Sequence, residues 1–207
     1  ALAMAMGHVI LKEYYIDKET PYFKEYAKEF TDMPFLVRVE DINGVVQPGR
    51  FLNAKDLGSK EDGADFQTVL IDETTNEIVV PNGTMGDRHT NPQKWNLRLE
   101  NRNTGAKIDP RLSVFDQRQD VTVVKLPYFG DEEHEGVIER AIPTITVQTV
   151  DGPVKVTTVY DLILANYGID RGIGGEVAKA YTDDTPYTPT WQEKITGVKA
   201  DIAIATA

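Results

Sequence analysis

The spacing of hydrophobic residues divides the chain into helical ends and a middle of short strands. Residues 1–15 are strongly apolar and mostly helix-favouring, and a polar run at residues 17–19 ends the helix that they predict. A second helix is predicted to begin with Thr20 as its N-cap and Pro21 in the first helical position. Aromatic residues at helical spacing predict that this second helix buries one face, formed by Tyr22, Phe23, Tyr26 and Phe30.

At Met33 the hydrophobic period changes from helical to alternating. Residues 35–41 run into Asn43-Gly44, a pair that favours a tight hairpin turn. A second hairpin is predicted around the turn at residues 73–76. Alternation also predicts strands at residues 68–72, 78–80, 95–100, 121–126, 142–150 and 154–159. The middle of the chain is therefore predicted to be β-rich.

Helical signals return at Thr158, a predicted N-cap with Asp161 three residues later, and Gly168 ends the helix that follows. Another short helix is predicted from Thr188 to Gly197, and residues 201–207 begin a further apolar helix. The predicted fold class is α+β, or a β-rich insertion between two parts of an α/β domain. We expect a helical part at residues 1–32, a β-rich insertion at 33–157 and a helical return at 158–207.

The two terminal segments both look like interrupted core helices. No N-cap precedes the apolar residues at the start, and no cap or polar tail follows those at the end. We therefore expect the chain to be an excerpt of a larger protein.

Composition excludes several classes of function. The chain has 33 acidic against 22 basic residues and a net charge of -11, without a basic patch, so nucleic acid is not expected as a partner. It contains no cysteine, which excludes disulfides, thiolate catalysis and iron–sulfur ligation by thiolates within these residues. No stretch approaches the ~20 apolar residues that cross a bilayer.

The candidate chemical residues are few. His8 lies on the apolar first helix and is predicted to be a hydrogen-bonded core histidine. His89, beside Asp87 and Arg88, is given a structural role, and His134 lies in an acidic run interpreted as a solvated loop. The glycine-rich stretch 171–176 fits neither a P-loop nor a dinucleotide fingerprint and is predicted to be a loop. These residues alone assign no catalytic group and no metal ligand, although acidic pairs for hydrolysis stay open.

A collinear set of strings resembles one known family. They are AMAMGHVILKE (3–13), FTDMP (30–34), GRFLNAKDL (49–57), VPNGTMG (80–86), KWNL (94–97), PYFG (127–130), TTVYDLILANYG (157–168), YTPTW (187–191) and ITGV (195–198). Together they resemble the alpha (catalytic) subunit of respiratory nitrate reductases, members of the dimethyl-sulfoxide-reductase family of molybdenum enzymes.

The resemblance implies a parent subunit that reduces nitrate to nitrite at molybdenum held by two pyranopterin guanine dinucleotides. It also implies an iron–sulfur cluster in that subunit, an iron–sulfur beta subunit, and a haem-containing gamma subunit that holds the complex at the cytoplasmic face of the membrane. In the family the metal and cluster ligands lie upstream of the segment that this chain matches. The excerpt is therefore expected to be scaffold, to bind no molybdenum cofactor when isolated and to be inactive, with its cofactor-contacting residues unknown.

Two other functions stay open. One is a sister molybdenum enzyme, such as a nitrite oxidoreductase or a chlorate, perchlorate or selenate reductase. The other is a β-rich interaction module, formed by residues 33–157, for an electron-transfer subunit.

Overall fold

The computed structural model describes residues 1–83, 98–130 and 136–207, and these form a mixed α/β fold. The helices are α1 (Leu2–Ile10), α2 (Pro21–Phe30), α3 (Val159–Asn166), α4 (Pro189–Thr196) and α5 (Ala200–Thr206), with a π-helix at Leu11–Asp17 and a 3-10 turn at Ala64–Phe66. The strands are β1 (Leu36–Ile42), β2 (Val45–Phe51), β3 (Leu70–Ile71), β4 (Ile78–Val79), β5 (Pro81–Asn82), β6 (Arg98–Asn101), β7 (Asp120–Pro127), β8 (Val137–Thr149) and β9 (Gly152–Thr158). Helices before and after a run of strands confirm the α+β prediction.

The main sheet has five antiparallel strands in the order β2-β1-β9-β8-β7. It curls into a half-barrel, because the outer strands β2 and β7 approach each other. Val46 of β2 packs against a buried cluster that contains Val124 and Leu126 of β7. Two small hairpins, β3-β4 and β5-β6, lie outside this sheet.

The predicted turn at Asn43-Gly44 and the caps of α3 and α4 are present, whereas Thr20 precedes α2 as predicted but makes no capping hydrogen bond through its side chain. Asn43 and Gly44 both have positive φ and join β1 to β2. The Thr158 hydroxyl accepts a hydrogen bond from the Asp161 amide at the start of α3. The Thr188 hydroxyl does the same for the Trp191 amide in α4, which ends at Gly197 in a left-handed conformation.

The helices cover the curled sheet. Helix α3 packs on β8 and β9, while α1, α4 and α5 contact one another. Between them lies an apolar cluster that includes Ile142, Ala165, Tyr187 and Trp191. This arrangement places the loop between α3 and α4 against strand β8.

The prediction for the aromatic stripe of α2 is wrong in part. Tyr22, Tyr26 and Phe30 are 68%, 48% and 48% exposed, whereas Ala27 is buried and Phe23 packs against the buried cluster around Tyr15. The three exposed rings contact one another along the helix, with centroids 6.4 and 5.2 Å apart. Helical spacing identified a continuous aromatic face, but the helix turns the face containing Phe23 and Ala27 toward the protein.

Two boundaries also differ from the prediction. Strand β8 begins at Val137 rather than at residue 142, and the residues after Ile10 continue as a π-helix rather than an α-helix. Of the third predicted strand, at residues 95–100, residues 95–97 lie outside the described part of the chain. No helix in the described ranges is both long and apolar enough to span a membrane.

Candidate functional site: two buried charges beneath a glycine-rich loop

His8 lies on the buried face of α1, as the sequence predicts. Its side chain is 1% exposed, and Nδ1 is 2.6 Å from the carbonyl oxygen of Tyr167. Helix α1 approaches this point closely, because a Cβ on Gly7 would lie 2.3 Å from the Tyr167 ring. Burial lowers the pKa of His8, and the positive charges of Lys12 and Arg140 lower it further. The predictions for His89 and His134 lie outside the described residues.

The glycine-rich stretch at residues 171–176 is a loop, as predicted, and it connects two fully buried charges. At its start Arg171 pairs with Asp161 of α3, and at its end Glu176 pairs with Arg140 of β8. Both Asp161 and Arg140 are 0% exposed. The loop therefore supplies an opposite charge to each of two groups that water does not reach.

Asp161 is saturated with hydrogen bonds. Its Oδ1 accepts from the Ser113 hydroxyl and from Arg171 Nη1, each at 2.6 Å. Its Oδ2 accepts from the Val114 amide and the Thr158 hydroxyl, each at 2.9 Å. A buried carboxylate with this many donors is well compensated for its loss of water. It ties α3 to the segment before β7 and to the glycine-rich loop.

Arg140 is compensated far less. Its Nη1 lies 3.4 Å from a carboxylate oxygen of Glu176, whose side chain is 49% exposed. The buried Nε and Nη2 atoms have no hydrogen-bond partner among the described residues. Burial lowers the pKa of Arg140, which Glu176 opposes. A guanidinium withdrawn from water with a single long contact is an energetically costly arrangement.

A cleft of about 530 Å³ opens beside the Asp161 pair. Its lining includes Tyr15, Arg111, Phe115, Tyr160 and Arg171. The Arg171 guanidinium lies 4.9 Å from the centre of the Phe115 ring, and burial raises the pKa of Tyr160. The cleft can therefore offer a cation and aromatic faces, with Tyr160 remaining neutral in the physiological range.

Comparison with known proteins gives close relatives along the whole chain. It is 46% identical over 207 residues to the nitrate reductase alpha chain of Bacillus subtilis (strain 168), covering 100% of this chain and 17% of that protein. It is 40% identical to the respiratory nitrate reductase 1 alpha chain of Escherichia coli (strain K12), over 96% of this chain and 17% of that one. The nitrate reductase alpha subunit of Mycobacterium tuberculosis (strain ATCC 25618 / H37Rv) is 41% identical over 99% of this chain, again 17% of its own length.

The chain matches a segment of nitrate reductase alpha chains from end to end. The resemblance drawn from the sequence is thus confirmed. The chain spans about a sixth of the length of these relatives, 17% in each of the three. No family model matches it.

In the part of the chain that the structure describes, the side chains do not fit a metal centre of the kind that nitrate reductase alpha chains imply. Among the described residues no three histidine, cysteine or acidic side chains lie close enough to hold a metal ion together. The buried carboxylate of Asp161 already accepts hydrogen bonds from Arg171, Ser113 and Thr158.

Sequence reasoning missed the two buried charges, although a signal for each was present. Arg140 stands two residues after Ile138 and two before Ile142, and alternate residues of a strand share a face. Its side chain therefore belongs to the buried side of β8, with Ile138 at 2% and Ile142 at 0% exposure. The predicted start of the strand at residue 142 removed Arg140 from this pattern. Asp161 was recognised as part of a cap but not as a partner for Arg171.

Proposed function

We propose that this chain is a structural segment of the catalytic subunit of a respiratory nitrate reductase. The observation that carries the proposal is the end-to-end identity of 40–46% with alpha chains of that enzyme. In the intact subunit, nitrate would be reduced to nitrite in a two-electron reaction, with electrons delivered from quinol. This segment would supply packing surface and no reacting group.

The contacts of the described residues support a scaffolding role. The buried carboxylate of Asp161 joins a helix, the segment before β7 and a loop, while α1 is fixed to the end of α3 through His8. Helices at both ends of the chain pack together, since α1 contacts both α4 and α5. The β-rich residues 33–157 would then be an insertion whose sheet rests on this helical layer.

The cofactors and partners are part of the same proposal. The intact subunit would carry molybdenum with two pyranopterin guanine dinucleotides and an iron–sulfur cluster, bound by residues outside this chain. It would assemble with an iron–sulfur beta subunit and a haem-containing gamma subunit at the cytoplasmic face of the membrane. The names of the relatives support the enzyme class, and the cofactors and partners follow from that class.

The direct test is the activity of the intact alpha subunit, purified with its partner subunits. We expect nitrate-dependent oxidation of a reduced viologen with one nitrite formed for each two electrons, and molybdenum in the purified protein. Chlorate, perchlorate, selenate and, in the oxidative direction, nitrite should be assayed in parallel. If kcat/KM were higher with one of these substrates than with nitrate, the subunit would be assigned to the corresponding sister enzyme and not to nitrate reductase.

The scaffolding part of the proposal has its own test in a core variant. Leu164 of α3 is fully buried, and Leu164→Ala should reduce the yield of folded subunit and its thermal stability through the cavity that it leaves. The activity per bound molybdenum should stay near that of the wild type. A matched surface change, Glu25→Ala in α2, should alter neither yield nor activity, because Glu25 is an exposed charged residue. A large fall in kcat per molybdenum for Leu164→Ala, with normal stability, would contradict a purely structural role.

A further inference from the structure

Arg140 is the most incompletely compensated of the buried charges described above. It is 0% exposed, it lies on β8, and its contact with Glu176 involves Nη1 alone at 3.4 Å. Nε and Nη2, both buried, meet no acceptor among the described residues. By contrast Arg111, which is 7% exposed, donates from Nε to Glu73 at 2.6 Å and from Nη1 to Asn76 at 2.7 Å.

The two unpartnered atoms of Arg140 form one chemical unit. In the planar guanidinium the N–H of Nε and one N–H of Nη2 point in parallel from the same edge. That edge matches the spacing of two oxygens in a carboxylate or phosphate and binds them through two hydrogen bonds. Glu176 lies on the opposite side, at Nη1. The structure thus presents a complete bidentate donor edge in a place withdrawn from water.

Gly168 borders this edge, and Gly175 lies against the next residue of β8. A Cβ on Gly168 would lie 3.4 Å from Nη2 of Arg140, so its absence leaves the region beside Nη2 free of a side chain. A Cβ on Gly175 would lie 3.0 Å from the backbone nitrogen of Ala141, which shows that the glycine-rich loop rests directly on β8 next to Arg140. The backbone at Gly168 therefore leaves one side of the edge without a side chain, and the loop lies against β8 at the residue that follows Arg140.

The loop is held firmly at one end and weakly at the other. Arg171 is fixed by its 2.6 Å bond to buried Asp161, whereas the half-exposed Glu176 makes the 3.4 Å contact. Between them Gly172 and Gly174 have positive φ and no atoms within 4 Å of where a Cβ would stand. Displacement of the Glu176 end would uncover Arg140 without disturbing the Asp161 pair.

We propose that the Nε–Nη2 edge of Arg140 is a binding site for a small molecule bearing a phosphate or carboxylate group, which enters beneath the Glu176 end of the glycine-rich loop. Glu176 weakens anion binding at this edge, since its negative charge lies at Nη1 of the same guanidinium and repels a second anion. The rings of Tyr128, Tyr187 and Trp191 contact one another in the same buried cluster as the neighbouring β8 residues Ile138 and Ile142. These residues make the surroundings of this part of β8 apolar.

The test measures hydrogen exchange in the intact alpha subunit after dialysis. The use of that subunit rests on the proposed function. Peptides covering residues 137–149 and 168–178 are followed in sodium phosphate, sodium acetate and sodium chloride at equal ionic strength. We expect phosphate or acetate to slow exchange saturably, by about tenfold when the anion is at about ten times its Kd. A response to phosphate alone identifies a phosphate ligand, and an equal response to acetate identifies any two-oxygen anion.

Three variants separate binding at Arg140 from general salt effects, because phosphate also stabilises proteins nonspecifically. Arg140→Met should abolish the slowing of exchange by the anion. Arg111→Lys changes a buried arginine whose partners stay in place, and it should retain the slowing. Glu176→Gln should shift the phosphate midpoint several-fold lower, because the negative charge that repels a second anion is gone. A ligand retained through dialysis would appear as a small anion released by acid from the wild type and not from Arg140→Met.

The proposal is overturned by either of two results. One is the same anion response in Arg140→Met as in the wild type. The other is no anion response in the wild type together with no released anion. The nitrate assay of the same preparation is read separately, so a failure of the anion site and a failure of the enzyme assignment are distinguishable.

Discussion

Asp161 and Arg140 are both completely buried, and both receive a countercharge from the same loop, yet they differ in how fully they are compensated. Asp161 accepts hydrogen bonds at 2.6–2.9 Å on both of its oxygens. Within the described ranges, Arg140 has one ion-pair contact, at 3.4 Å, and its Nε and Nη2 atoms have no partner. Burial alone therefore does not tell whether a charge is structural. The number and length of the hydrogen bonds to a buried charge decide how much stability is lost when that charge is removed.

The largest effect is expected from Asp161→Asn. The change keeps the shape of the side chain but leaves Arg171, whose side chain is 9% exposed, without its carboxylate. We expect the free energy of opening of α3 to fall by about 3–5 kcal/mol, the usual result of breaking a buried pair. Hydrogen exchange of the amides of residues 159–167 in the intact subunit measures it.

Asp116→Asn is the matched control, because Asp116 is an exposed carboxylate that lines the neighbouring cleft. We expect it to change α3 opening by no more than about 0.5 kcal/mol. If Asp161→Asn changed α3 opening as little as this control, Asp161 would not be a structural charge.

A smaller loss is expected when the cap of α3 is removed. Thr158→Ala deletes the hydroxyl that accepts from the Asp161 amide at 3.1 Å and donates to its carboxylate. Loss of such a cap costs about 1 kcal/mol. Thr158→Ser retains the hydroxyl, so it should retain most of this stability in the same exchange measurement. A full effect from Thr158→Ser would instead point to the lost methyl group.

The contrast between these two charges also shows what the sequence could reveal. The cap at Thr158 and the turn at Asn43-Gly44 depend on neighbours in sequence, and both were predicted. The burial of Arg140 depends on where β8 begins, and its partner Glu176 lies 36 residues away. The exposed ring of Tyr22 illustrates the same limit, because periodicity defines the faces of a helix but not which face the rest of the protein covers.

A further prediction uses pH to change the charge near Arg140. Burial lowers the pKa of His8 from its ordinary value of 6.5, with the charges of Lys12 and Arg140 adding to the effect, while the hydrogen bond to the Tyr167 carbonyl opposes it. The folded state therefore binds the proton less well than the unfolded state. Stability of α1 should be fully present above pH 6.5 and be lost progressively as the pH falls from 6.5 toward the lowered pKa.

Exchange of the α1 amides, corrected for the pH dependence of the intrinsic rate, measures this loss. The hydrogen bond to the Tyr167 carbonyl favours the protonated ring and so offsets part of this loss. His8→Gln removes the titrating group and should flatten the profile between pH 5 and 7. An unchanged slope in that variant would assign the pH dependence to another residue.

The smallest effect is expected at Arg140 in buffer without phosphate or carboxylate ions. Arg140→Met replaces a buried, poorly compensated cation by an apolar side chain of similar length, an exchange that is often neutral or stabilising. We expect the opening free energy of β8 to change by no more than about 1 kcal/mol. Arg111→Met loses two short hydrogen bonds, and it should lower the free energy of local opening around residue 111 by about 1.5–3 kcal/mol. A loss of several kcal/mol for Arg140→Met under these conditions would mean that a carboxylate elsewhere in the intact subunit already occupies the Nε–Nη2 edge. Arg140 would then be a second structural charge like Asp161, and the difference between the two would disappear.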